Sequence, residues 1–131
     1  MLQPVIRNFI LCEKVVTGPD TPRRVSLHGL LRSIRSTDSP SYPLLYREIN
    51  AYIQMTGCRG SADLHVDIYH ADSGNHVFQT DKQRREFEKN PLQVHGLAFR
   101  ILNLRFVDPG LYWFEFCYNG IVEAICPLVL R

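Results

Sequence analysis

The sequence predicts an all-β fold: a two-sheet antiparallel β-sandwich of immunoglobulin-like kind, with at most a short helix near residues 81–90. Three observations predict it. Short β-rich runs alternate with turns marked by eight prolines and eight glycines. No stretch carries a long apolar period of about 3.6 residues. Near the C-terminus, "DPGLYWFEFCYNG" sets a ring-rich strand between a Pro-Gly turn and an Asn-Gly turn.

The elements follow in order. The first strand runs from Val5 to Val16. Val5, Phe9, Leu11 and Val15 share one parity and Ile6, Ile10, Cys12 and Val16 the other, so part of the strand is covered on both faces. "TGPDTPRR" is a loop, punctuated by Gly18, Pro19 and Pro22. Arg24 to Ser36 is the second strand, with Gly29 marking a bulge or a close backbone approach. A loop with Pro40 and Pro43 leads to the third strand, "LYREINAYIQMTG". There Ile49, Ala51, Ile53 and Met55 alternate with Glu48, Asn50, Tyr52 and Gln54, the signature of a half-buried antiparallel strand.

"GCRGS" turns into the fourth strand, "ADLHVDIYHA". Ala62, Leu64, Val66 and Ile68 face inward, and Asp63, His65, Asp67 and Tyr69 outward. "ADSGN" turns into "HVFQT", completing a hairpin. "DKQRREFEKN", residues 81–90, contains good helix formers but only Phe87 to bury, so helix, polar strand and loop all remain open there. "LQVHGLAFRILNLRF" is a further strand. Leu111–Tyr118 and Ile121–Leu130 form the closing hairpin around Asn119-Gly120, a pair suited to a type I′ turn. Pro127 lacks an amide hydrogen and belongs at an edge or on an unpaired side.

Asp108, Gly110 and Tyr112 have the spacing of a tyrosine corner, in which a Tyr near the start of a strand hydrogen-bonds back to the upstream chain. Immunoglobulin domains place a cysteine two residues after that Tyr, and this chain has Phe114. Buried rings of Tyr112, Phe114 and Phe116 must replace the disulfide, at very roughly 1.5–3 kcal/mol each. Trp113, Glu115 and Cys117 take the opposite face.

Bulk properties narrow the function. The chain has 131 residues and a net charge of +2, with 45% hydrophobic and 21% charged residues. These fit one globular domain, residues 1–131. The charge is too weak and too dispersed for a nucleic-acid footprint, and Glu86 and Glu88 dilute the "KQRRE" cluster. Arg7, Asn8, Glu13 and Lys14 break the N-terminal apolar stretch, so neither a signal peptide nor a membrane helix is expected, and a cytoplasmic location is. Cys12, Cys58, Cys117 and Cys126 form no Cys-x-x-Cys pair and are expected reduced.

Chemistry is sparse. Asp63, His65 and Asp67 share one strand face, but same-face neighbours stand about 7 Å apart and a tight site needs a ligand from a second element. A solvated outer face is the expectation, with His76 or His70 contributing only if the hairpin register allows; no metal and no cofactor are expected. His28 and His95 precede glycines within apolar strands and are expected to be buried and hydrogen-bonded. No Gly-x-Ser-x-Gly, activated cysteine or phosphate-binding glycine loop is present.

The stretches "MLQPVIRNFILCEKVV", "HGLLRSI", "VDIYHADSGNHVF" and "DPGLYWFEFCYNGIVEAICPLVLR" together resemble a family of short bacterial proteins of unknown function, single β-sandwich domains that close with a Pro-Gly-x-Tyr hairpin. The resemblance implies a bacterial, cytoplasmic, stand-alone sandwich and carries over no catalytic residue. The expectation is a non-catalytic interaction or structural module that binds a protein partner or a second copy, not an enzyme. The alternative is a sandwich that binds a small carbohydrate-type ligand. Trp113, Tyr52 and Arg59 are the expected binding residues.

Overall fold

The computed structural model describes residues 4–17, 24–37, 41–87, 90 and 92–131. Among these residues ten strands follow in order: β1 (Val5–Thr17), β2 (Val25–Leu30), β3 (Ser33–Ile34), β4 (Leu44–Thr56), β5 (Gly60–His70), β6 (His76–Gln79), β7 (Gln83–Phe87), β8 (His95–Phe106), β9 (Gly110–Tyr118) and β10 (Ile121–Leu130). They form two sheets. One has the order β2-β1-β4-β8; the other runs β3-β10-β9-β5-β6, with β7 also pairing β5. All pairings are antiparallel except β3 with β10. The fold is an all-β sandwich, with β9 between β5 and β10 as the F strand lies between C and G in immunoglobulin domains.

Alternation places the core. Ile49, Ala51, Ile53 and Met55 of β4 meet Ala62, Leu64, Val66 and Ile68 of β5 in one buried cluster. Tyr112, Phe114 and Phe116 are buried with them, so the aromatic run closes the sandwich as its parity requires. Phe9 of β1 and Phe99 of β8 contact Phe116 at centroid distances of 6.5 and 6.2 Å, joining the two layers through rings. All four cysteines are free.

The tyrosine corner is present. Tyr112 donates its hydroxyl hydrogen to the Asp108 carbonyl at 2.6 Å. Its ring meets Phe106, the last residue of β8, edge-on at 4.9 Å. The corner therefore fixes the place where the chain leaves one sheet for the other. Asn119 and Gly120 both take positive φ, 50° and 80°, as the hairpin turn demands. At Pro127 β10 has β9 on one side, while β3 reaches only Val129 and Leu130.

One run departs from the simplest reading, a second settles a choice the sequence left open, and two histidines differ from expectation. The run expected as one strand from Arg24 to Ser36 is two, β2 and β3, which lie in different sheets. Gly29 prepares the switch: its φ is +68°, and the Glu13 side chain occupies the space a β-carbon would need. Residues 83–87 form strand β7, which covers the Gly60–Leu64 edge of β5. Residues 88 and 89 of that segment, residues 18–23 of the first expected loop and residues 38–40 of the second lie outside the described residues. His28 is exposed rather than buried, because β2 is an edge strand. His95 is half-buried against the Phe87 ring at 4.9 Å, and among the described residues its Nε2 has no hydrogen-bond partner.

Candidate functional site on the outer face of the β5–β9–β10 sheet

Strand parity builds this face as surely as it builds the core. Register sets His65 opposite Cys117, Asp67 opposite Glu115 and Tyr69 opposite Trp113. Across the closing hairpin, Cys117 faces Val122, Glu115 faces Ile125 and Trp113 faces Pro127. The face therefore has two zones, one lined by heteroatom donors and one mostly apolar.

The donor zone centres on Asp67. His65 Nε2 donates to Asp67 Oδ2 at 3.0 Å, and His76 Nε2 donates to Oδ1 at 3.1 Å. Cys117 Sγ donates to Oδ2 at 3.7 Å. A register shift between Ile68 and Tyr69 lets β6 bring His76 back to Asp67. Burial, then the adjacent Asp67 carboxylate, pushes the Cys117 thiol up to about 11, so the sulfur is protonated at neutral pH and is a poor nucleophile. His65 Nδ1 is buried and has no hydrogen-bond partner among the described residues. Asp63 does not join this cluster. It lies 3.3 Å from Arg84 Nη1, opposite it on β7.

The apolar zone centres on Trp113. The indole is half-buried, as is Tyr69 beside it, while Val122 and Ile125 of β10 are 45% and 53% exposed. Direct and diagonal cross-strand neighbours on one face lie within side-chain reach, so Trp113, Ile125 and Pro127 form one continuous apolar surface.

The other expected binding residues lie elsewhere. Tyr52 is on the outer face of the opposite sheet, with Ala98 as its cross-strand partner. It is only 6% exposed, because its ring crosses Gly96, where a β-carbon would stand 2.5 Å from the hydroxyl. It borders a cleft of about 770 Å³ that also touches Gln54, His95 and Arg85. Arg59 is exposed in the β4–β5 turn, about 30 Å along the extended strand from Tyr69, which faces Trp113. The three residues do not converge.

Cys117 was legible only as an outward-facing residue. Its position beside His65 depends on the β5–β9 pairing, between strands about fifty residues apart. At the β5–β6 turn, Pro109 O can only accept, so His70 Nε2 donates to it at 3.2 Å and His70 Nδ1 accepts from the Ser73 hydroxyl at 2.9 Å. Ser73 Oγ also accepts the Asn75 amide at 3.2 Å, and these bonds close the turn.

Solved structures share the fold, two of them glucoside hydrolases by name. A β-glucosidase from Listeria innocua in complex with isofagomine matches 94% of this chain at 9% identity, with a TM-score of 0.52. A β-D-glucoside glucohydrolase from Trichoderma reesei matches 99% at 10% identity, with a TM-score of 0.51. The chain spans 16% of the first protein and 19% of the second, and at such identity the likeness is one of fold. No curated protein matches this sequence. Among the described residues, no helix is long and apolar enough to cross a membrane. Residues 7–131 match DUF6941 along almost the whole sequence, and the chain belongs to this family of unknown function.

Proposed function

We propose that this domain is a non-catalytic interaction module, and that a partner protein docks on the apolar zone around Trp113. The observation that carries this reading is the continuity of Trp113 with its cross-strand neighbour Pro127 and the exposed Ile125 on one sheet face. Contiguous exposed apolar surface marks association sites, and Trp is the residue most often found at their energetic centre. Glu115 borders the zone, which suits a partner that sets a basic group beside its apolar centre.

The carbohydrate-type alternative draws less support. It would use Trp113 and Tyr52 as stacking surfaces, and these stand on opposite sheets with Tyr52 covered. A non-catalytic role also agrees with the buried, protonated Cys117 thiol and with the turn-closing use of Ser73.

The test places a photo-crosslinking residue at position 125 and maps the captured chain by mass spectrometry. Sedimentation over a range of concentrations is run alongside it. Capture of one defined surface, weakened by Trp113→Ala by about 30-fold or more with the fold retained, supports the reading. A second copy captured through the same face makes the module a self-associating one. Monomer at every concentration, together with no specific crosslink, overturns it.

A further inference from the structure

The donor zone beside the proposed docking surface has a separate chemistry. His65, Asp67 and Cys117 each offer one ligand atom, and these atoms all lie within 4.8 Å of one another. The three residues come from two adjacent strands, which answers the objection that a single strand spaces its same-face groups too widely. Donors bound tetrahedrally at the usual zinc–nitrogen, –oxygen and –sulfur lengths stand roughly 3.3–3.8 Å apart. Asp67 Oδ2 is 3.7 Å from Cys117 Sγ and 3.0 Å from His65 Nε2, so small side-chain shifts reach that geometry.

A second observation comes from the imidazole. His65 is 7% exposed, and its Nδ1 has no hydrogen-bond partner among the described residues. With Nε2–H given to Asp67, Nδ1 carries the lone pair of the neutral ring, and no donor reaches it. Because no donor among the described residues holds that lone pair, the ring proton is free to move to Nδ1, which leaves the Nε2 lone pair, facing Asp67, for a cation.

We propose that His65, Asp67 and Cys117 bind a divalent cation of the zinc class, with water completing the shell. The mixed nitrogen, oxygen and sulfur set selects this class over calcium and magnesium, which take oxygen ligands. When the sulfur–metal bond forms, Cys117 gives its proton to solvent. The bound ion ties β5 to β9 next to the β5–β6 hairpin. It does not depend on docking at Trp113, and either reading stands if the other fails.

The experiment titrates the full chain with cobalt(II) after treatment with chelator and thiol reductant. One equivalent of cobalt is expected to produce a thiolate-to-cobalt charge-transfer band and the intense visible bands of a tetrahedral ion, both displaced by zinc. Cys117→Ser should abolish the charge-transfer band, whereas Cys126→Ser should leave it unchanged. Asp67→Asn, nearly the same shape, should weaken cobalt binding by about tenfold or more and serves also where Cys117→Ser does not fold. Zinc should raise the thermal midpoint of the wild type and not that of folded Cys117→Ser. Absence of the band in the wild type, its persistence in Cys117→Ser, or unchanged affinity in Asp67→Asn overturns the proposal.

Discussion

At the scale of single residues, pattern predicts direction better than cover. Alternation along β4 correctly turned Tyr52 away from the core, yet the residue is buried. The reason is the missing side chain at Gly96, across the neighbouring pair, which lets the phenol lie flat on β8. A strand glycine signals a close approach of this kind, but does not say what approaches. The contact makes a prediction. Gly96→Ala would set a methyl 2.5 Å from the Tyr52 hydroxyl and 3.3 Å from the ring carbon bearing it. The ring must move, with an expected cost of about 1–3 kcal/mol. Tyr52→Phe in the same chain removes the nearest atom and should restore part of that loss. The pair is read as a double-mutant cycle from urea midpoints, and strictly additive single effects would show that the two residues do not press on each other. Trp113 is the opposite case, a residue whose outward parity and partial exposure agree.

At the scale of elements, the strands that build the core were the legible ones. β4, β5 and β9 alternate cleanly, and Asn119-Gly120 names its own turn. The β2–β3 break was not legible, because alternation states which way a side chain points and not which sheet receives the strand. β7 was ambiguous for a different reason: with Phe87 its only large apolar residue, its pairing is set by the bare edge of β5. The corner between β8 and β9 was legible down to its hydrogen bond, since the motif is local. Its contribution is testable. Tyr112→Phe keeps the ring against Phe106 and removes only the bond to Asp108. The unfolding free energy should fall by about 0.5–1.5 kcal/mol, the net worth of an ordinary hydrogen bond. The denaturant slope should stay constant, because the surface exposed on unfolding does not change. Tyr112→Ala also removes the ring from the core and should cost about 3–5 kcal/mol. Equal losses in the two variants would mean that the hydroxyl, and not the packing, holds the corner.

At the scale of the whole molecule, the two sheets are held by rings and aliphatic side chains without sulfur bridges, and the thiols themselves can report whether they open together. Cys12 lies in the sheet that contains β1, Cys117 in the opposite sheet, and Cys58 in the turn between β4 and β5; all three are buried. Cys126 is only partly covered, on β10. Burial pushes all four thiols above their ordinary range, Cys58 and Cys117 to about 11. Each therefore reacts slowly while folded, and the three buried ones must also wait for an opening. Phe9, Phe99 and Phe116 interlock across the interface, so opening one sheet strips cover from the other. Native alkylation in dilute iodoacetamide, followed by peptide mass spectrometry, should label Cys126 first. Cys12, Cys58 and Cys117 should follow much later, with matching dependence on urea, as expected for a single cooperative unit. If the labelling of Cys12 rises at lower urea than that of Cys117, the sheets separate into independent units and the aromatic interlock does not couple them.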